Sequence, residues 1–308
     1  SSGTTGKPKA IPWDHTVAMK CAADGRYHQD IRAGDVVAWP TNIGWMMGPW
    51  KLYASLMNEA SMAIYEGAPG ERGFGQFVQD AKVTMLGVVP SLVKDWFNTG
   101  NVDGFDWSNI RCYSSSGEAS DPGNYGRLMG FNQPDGVPRP VVEYCGGTEV
   151  GGGYAANNLT KPVYPARFNG GAVGTGFIVL NGNGEPCSIG EMGEVFLTPG
   201  ALGLSTSLIG GDHAAAYYGE GVPQGLREHG DNFVMTSQGW QSLGRAKDDM
   251  NLGGIKVASK QLEDAISKGQ IAGVLETAAV GVPPPGGGAD RLVIYAVMET
   301  VADDELAN

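Results

Sequence analysis

Val83-Thr84-Met85-Leu86-Gly87-Val88-Val89-Pro90-Ser91 is an apolar run that ends on a proline and a serine. The run has the length and composition of a buried strand. A proline is favoured in the first turn of a helix, where its missing N–H would have had no partner. The stretch therefore predicts a strand feeding directly into a helix, and the same alternation extends in both directions. Upstream, Thr16 to Tyr27 predicts a helix, Val36-Val37-Ala38-Trp39-Pro40 a strand, Trp45 to Met57 a helix, Ser61 to Tyr65 a strand and Gly73 to Lys82 a helix. Downstream, Arg111 to Ser115 runs as a strand into the turn Ser116-Gly117-Glu118-Ala119, and a helix is expected to start near Asp121-Pro122. Pro140-Val141-Val142-Glu143-Tyr144 then runs into Cys145-Gly146-Gly147-Thr148-Glu149-Val150-Gly151-Gly152-Gly153. This β-α-β-α spacing predicts an α/β domain with parallel sheet and ligands at the carboxyl ends of the strands.

From about Ala172 the pattern changes to short β segments, Gly176 to Leu180 and Gly193 to Thr198, separated by turn signals such as Asn181-Gly182-Asn183-Gly184. They predict an antiparallel subdomain leading to His229-Gly230-Asp231. A charged joint, Ala246-Lys247-Asp248-Asp249, follows Gly244-Arg245. Beyond it a helix from Ser259 to Lys268 and strands near Ala278 to Val282 and Leu292 to Met298 predict a smaller α+β unit. The expected fold is thus α/β: a large N-terminal domain with mostly parallel sheets plus a small antiparallel β subdomain, followed by the start of a smaller α+β domain. The boundary is placed between 1–247 and 248–308.

At 308 residues, with 42% hydrophobic and 18% charged residues, the chain can bury a sizeable core. A formal net charge of −12 argues against a nucleic-acid partner, which would need clustered Lys and Arg. Glycine, at 49 residues, is about twice its usual ~7% share and implies tight loops and close backbone approaches. The 4 cysteines, Cys21, Cys112, Cys145 and Cys187, have neither metal-ligand nor disulfide-framework spacing, which points to a reducing, intracellular setting. The 4 histidines, His15, His28, His213 and His229, likewise lack ligand spacing, and none is assigned a catalytic role. No apolar run approaches the ~20 residues of a membrane span, so no integral membrane segment is expected.

The opening stretch Ser1-Ser2-Gly3-Thr4-Thr5-Gly6-Lys7-Pro8-Lys9-Ala10 is dense in hydroxyl and amide donors and carries two lysines. It suits a polyphosphate, or else it is a mobile polar tail. It is not the Walker pattern, because Pro8 follows Lys7 and the glycine spacing is too short.

Taken in order, the opening loop, Thr148-Glu149, Gly230-Asp231 and Gly244-Arg245-Ala246-Lys247-Asp248-Asp249 resemble the adenylate-forming superfamily of acyl-CoA synthetases, peptide-synthetase adenylation domains and luciferases. Thr41-Asn42-Ile43-Gly44-Trp45-Met46-Met47-Gly48, Tyr65-Glu66-Gly67-Ala68-Pro69 and Ser116-Gly117-Glu118-Ala119 look most like the acetyl-CoA-synthetase branch and the related peroxisomal acyl-activating enzymes. The resemblance covers nearly the whole chain. It implies an AMP-forming ligase that uses MgATP to activate a small-molecule carboxylic acid and then transfers the acyl group to coenzyme A, in the peroxisome or cytoplasm. Ser2, Gly3, Thr4, Thr5, Gly6 and Lys7 match the loop that grips the β- and γ-phosphates. Thr148 matches the α-phosphate contact and Glu149 the Mg²⁺ carboxylate; Gly117, Glu118 and Ala119 match the turn along the adenine. Asp231 and Arg245 match ribose contacts, and Asp248 the hinge about which the small domain turns. Without the resemblance, Glu149 reads first as a solvated carboxylate, Asp231 as an Asx-turn residue and Arg245 as part of a surface ion pair.

Departures from the pattern carry further expectations. Members that use acetate have two tryptophans where this chain has Cys145 and Gly146. The resemblance makes Trp45 and Gly146 borders of the acid pocket, so Gly146 implies a deeper pocket and an acid larger than acetate. Losing the first tryptophan removes the aromatic face for adenine, a role left to Tyr144. The family's catalytic lysine motif near the end of the small domain and its long segment ahead of the phosphate loop are not in the sequence. The chain is accordingly expected to be a central piece, impaired in adenylation. A domain loading a carrier protein and a non-catalytic nucleotide-binding derivative remain the alternatives.

Overall fold

The computed structural model describes residues 9–246, 249–252, 255–269, 271–282, 284 and 290–299. Ser2, Gly3, Thr4, Thr5, Gly6 and Lys7 of the expected phosphate loop and the expected hinge Asp248 lie outside the described residues. The elements run α1 (His15–Tyr27), β1 (Val36–Ala38), α2 (Met47–Leu56), β2 (Ser61–Ala63), α3 (Arg72–Asp80), β3 (Met85–Val88), α4 (Pro90–Thr99), β4 (Cys112–Ser115), α5 (Pro122–Gly130) and β5 (Val141–Gly147). They continue with β6 (Gly152–Ala156), β7 (Gly170–Gly171), β8 (Gly176–Leu180), β9 (Met192–Thr198), α6 (His213–Tyr217), β10 (Arg227–Thr236) and β11 (Gly239–Arg245). Last come β12 (Asp249–Leu252), β13 (Ile255–Ala258), α7 (Ser259–Lys268), β14 (Val274–Val282) and β15 (Arg291–Met298).

Local chemistry sets the helix starts. Asp14 caps α1 by accepting the Thr16 N–H at 2.8 Å, and Asp121 caps α5 by accepting the Asn124 N–H at 2.8 Å with Pro122 in the first turn. Pro90 likewise opens α4. The parallel alternation forms a seven-stranded sheet in the order β2-β1-β3-β4-β5-β6-β7, parallel from β2 to β5. Side chains alternate across it with period two. Ala38, Leu86, Val88 and Tyr113 face a core closed by Phe74, Val93, Trp96 and Tyr125 of α3, α4 and α5. Val37, Met85, Cys112 and Tyr144 face a second core closed by Val17, Cys21, Trp50 and Ala54 of α1 and α2.

Two expectations shift. The helix expected from Trp45 begins at Met47, so Trp45 stays on the loop and is 60% exposed. The glycine-rich run after Glu149 contains a strand as well as a turn: β6 is fully buried and pairs antiparallel with β5. Glycine is a poor strand former in general, but here the space is taken. A Cβ on Gly153 would come 2.4 Å from the Tyr144 ring, and one on Gly146 would come 1.9 Å from the Gly152 carbonyl oxygen.

A four-stranded antiparallel sheet, β11-β10-β9-β8, forms the subdomain. His229-Gly230-Asp231 lies within its central strand β10 rather than beyond it. The hairpins β12-β13 and β14-β15 with α7 make up the α+β part. Among the described residues, no helix is long and apolar enough to cross a membrane.

Candidate active site

Three neighbouring parallel strands end at the same carboxyl end of the large sheet: β3 runs into Val89-Pro90, and β4 and β5 into the polar turns Ser116-Gly117-Glu118 and Thr148-Glu149. A cavity of about 600 Å³ lies at that end. Trp45, Gly117, Glu118, Tyr144 and Gly146, all singled out in the sequence, line it together with Trp39, Met46 and Met47. Glu118 clamps its turn to the start of α4, its carboxylate accepting the Ser91 N–H at 2.9 Å and the Ser91 hydroxyl at 3.0 Å. Ala119 continues this turn toward buried Ser120, whose hydroxyl donates to Glu143 Oε2 at 2.9 Å.

Tyr144 is a wall of the cavity, not an open aromatic face. Its ring is 2% exposed, its hydroxyl donates to Asp24 Oδ2, and it accepts from Trp50 Nε1 at 2.9 Å. Asp24 in turn pairs with Lys20 at 2.7 Å and accepts the Gly153 N–H at 3.0 Å, with both charged side chains fully buried. Burial pulls the Lys20 ammonium down, and Asp24 opposes the fall. This network ties α1 and α2 to the back of β5 and β6.

On the other side of β5, Cys145 Sγ lies 3.4 Å from Asp231 Oδ2. Asp231 is buried, accepts the Tyr154 hydroxyl at 2.8 Å and lies 3.0 Å from Arg245 Nη1. His229 Nε2 is 3.2 Å from Asp231 Oδ2, off the line of a hydrogen bond. Burial works against ionisation of Asp231, but the positive field of His229 and Arg245 and the Tyr154 hydroxyl bring its carboxyl down to about 2.

The Thr148-Glu149 turn is stitched to the flank of the opening loop. Trp13 Nε1 donates to the Thr148 carbonyl at 2.8 Å, Ser205 N–H to the Glu149 carbonyl at 2.8 Å, and Ile209 N–H to the Ala10 carbonyl at 2.9 Å. Glu149 is half-buried. Desolvation opposes its charge, but His229, its own backbone N–H, Arg245 and Arg227 together hold its carboxyl below the ordinary range. Arg227 is fully buried, packs 3.9 Å over the Tyr217 ring and donates to Ser205 Oγ at 2.9 Å.

The structure therefore brings Trp45, Gly117, Glu118, Tyr144 and Gly146 to one cavity; Asp231 and Arg245 meet each other beside Cys145 on the opposite side of β5, and Thr148 and Glu149 follow the end of that strand. Sequence reasoning missed Glu143, Tyr154, Arg227 and His229. Of these, His229 was within reach, since positions 229 and 231 of a strand share a face. The others depend on packing between distant segments.

Residues 1–201 match the AMP-binding enzyme family. The chain belongs to this family. Hexanoyl-CoA synthase of Cannabis sativa is 49% identical over 310 residues, covering 98% of this chain and 42% of that protein. The probable peroxisomal acyl-activating enzyme 17 of Arabidopsis thaliana is 48% identical over 307 residues, covering 97% of this chain and 42% of that protein. The chain thus spans about two fifths of the length of these curated relatives. Among solved structures, acetoacetyl-CoA synthetase from Streptomyces lividans superposes with a TM-score of 0.84 at 23% identity, over 99% of this chain and 47% of that one. An anthranilate CoA ligase in complex with anthranoyl-AMP gives 0.81 at 19% identity, over 100% and 58%. These solved structures share the fold of this chain.

Proposed function

We propose that the protein carrying this chain is an AMP-forming acyl-CoA synthetase. A carboxylate oxygen of the acid attacks the α-phosphorus of ATP, forming an acyl-adenylate and releasing pyrophosphate. The thiolate of coenzyme A then attacks the acyl carbon, forming the thioester and releasing AMP. The observation that carries the reading is the end of β5: Gly146 borders the cavity, Cys145 contacts the Asp231–Arg245 pair, and Thr148-Glu149 lies just beyond. Acid, nucleotide and metal would meet there.

In this reading Asp231 and Arg245 hold the ribose hydroxyls, one accepting and one donating. Gly117, Glu118 and Ala119 border the adenine, and Thr148 donates to the α-phosphate. Glu149 suits Mg²⁺, a hard cation that keeps several waters and takes one or two carboxylates plus phosphate oxygens. It is ionised and half-buried, beside the loop flank that leads to Ser2, Gly3, Thr4, Thr5, Gly6 and Lys7. When bound, the ion would screen charge on the phosphates. The division near residue 248, with Asp248 as the pivot between the two half-reactions, belongs to the same proposal.

The acid is larger than acetate, in keeping with the apolar cavity and with the hexanoyl-CoA synthase named above. A peroxisomal location is proposed from the relatives called peroxisomal, at 48% and 40% identity. The test is pyrophosphate release by the full-length protein with a panel of acids. Release that depends on acid length and falls on Glu149→Ala supports the proposal; no release with any acid, or none lost on Glu149→Ala, overturns it.

A further inference from the structure

The cavity has a direction. At its mouth Trp45 is 60% exposed, and Gly117 and Glu118 are exposed. At its inner end Trp39 and Tyr144 are each 2% exposed, so little of either ring reaches the cavity. Trp39 follows β1 directly, and its indole lies across the neighbouring strand β3 over Gly87. A Cβ added at Gly87 would fall 1.9 Å from Trp39 Cδ2 and 2.2 Å from Cε3. The glycine is thus the seat that lets the ring lie flat against the sheet.

Packed and hydrogen-bonded side chains back the ring. Trp39 meets Trp50 edge-on at 5.5 Å, and Trp50 meets Tyr144 at 5.5 Å. Trp50 is fully buried and donates its indole N–H to the Tyr144 hydroxyl, which is held by Asp24. The Trp39 carbonyl accepts from Lys51 Nζ at 3.2 Å, fixing the backbone that carries the ring. Close-packed interiors resist displacement.

We propose that Trp39, seated on Gly87, is the stop that sets the length of the acyl chain the cavity accepts. The inference rests on reading the cavity as the acid pocket. The carboxyl end of the acid stays at the β5 edge, and the tail runs inward until it meets the indole. Apolar pockets discriminate by about 10- to 200-fold per methylene, so moving the stop moves the preferred length rather than scaling every rate alike.

The experiment compares kcat/KM for pyrophosphate release across straight-chain acids, using the full-length protein. In Gly87→Ala the added methyl lifts the indole into the cavity, and the optimum moves to shorter acids by one methylene or more. In Trp39→Leu the stop recedes, and the optimum moves to longer acids, with a gain of about tenfold or more in the ratio of a longer to the original acid. A variant that is merely destabilised loses rate on every acid without moving the optimum. If Gly87→Ala does not fold, Trp39→Leu, which only removes atoms, decides. An unmoved optimum in Trp39→Leu, with the parent protein active, overturns the length stop alone. If the parent releases no pyrophosphate with any acid, the reading of the cavity fails, and the stop with it.

Discussion

Asp231 and Arg245 are register partners on β10 and β11, and their side chains meet across the hairpin with Arg245 Nη1 3.0 Å from Asp231 Oδ1. The two residues assigned to one sugar thus hold each other before any ligand arrives. Such preorganisation lowers the ordering cost of binding.

Replacing Asp231 with Asn should weaken ATP binding at least tenfold by calorimetry, since the neutral amide keeps the shape but loses the charge. It should also flatten the acid limb of stability. The carboxyl sits at about 2 in the folded protein against 3.8, so its contribution is complete above about pH 4 and is lost as pH falls toward 2. The effect is at most ~2.5 kcal/mol, from ~1.4 kcal/mol per pKa unit. An acid limb unchanged in Asp231→Asn would contradict it.

Glu143 predicts the opposite slope. Burial raises its carboxyl to about 8, while the Ser120 hydroxyl and Arg167 pull the other way. The native state then keeps a proton that the unfolded chain loses above about pH 4.5. Its contribution is full below that pH and disappears as pH rises to about 8. Urea midpoints should therefore fall over this window in the parent and fall less in Glu143→Gln, by up to ~1.4 kcal/mol per pH unit. Parallel profiles would show that the group is ionised at neutral pH.

The Lys20–Asp24–Tyr144 network should rank two variants. Lys20→Met leaves a buried carboxylate without its cation, a loss of about 3–5 kcal/mol. Tyr144→Phe removes one donor to Asp24 and the acceptor of Trp50 Nε1, a loss of about 1–3 kcal/mol. Chemical denaturation giving the reverse order would show that the ion pair is not what matters at this position.

Gly146→Trp should not convert the protein into an acetate enzyme. A Cβ at this position falls on the Gly152 carbonyl of the paired strand, so β6 must shift before any side chain can narrow the cavity. The expected result is a drop in melting temperature already in Gly146→Ala, by the ~1–3 kcal/mol typical of overpacking, and no gain in acetate-dependent pyrophosphate release in Gly146→Trp. A well-folded, acetate-selective variant would refute this.

Much of the architecture is local and was readable along the chain. Pro90, Asp121-Pro122 and the short continuous apolar runs mark strand ends and helix starts within a few residues of themselves, and backbone sterics and capping act at that range. The resemblance of the ordered motifs then named Thr148, Glu149, Asp231 and Arg245 as one set. What the chain order could not supply was direction and burial. Lys20 and Asp24 are spaced like an ordinary exposed helical pair, yet both are buried because Tyr144 and Gly153, more than a hundred residues away, close over them. Tyr144 was open to reading as a platform for adenine until the fold turned its hydroxyl toward Asp24. Gly146 was read as an opened pocket, and the fold adds that the backbone of β6 leaves no room for anything larger. Local signals specify elements because they act through neighbouring bonds. Which face a side chain presents, and what it meets there, follows from how distant elements pack, and that is settled only once the sheet and its two helical layers have closed.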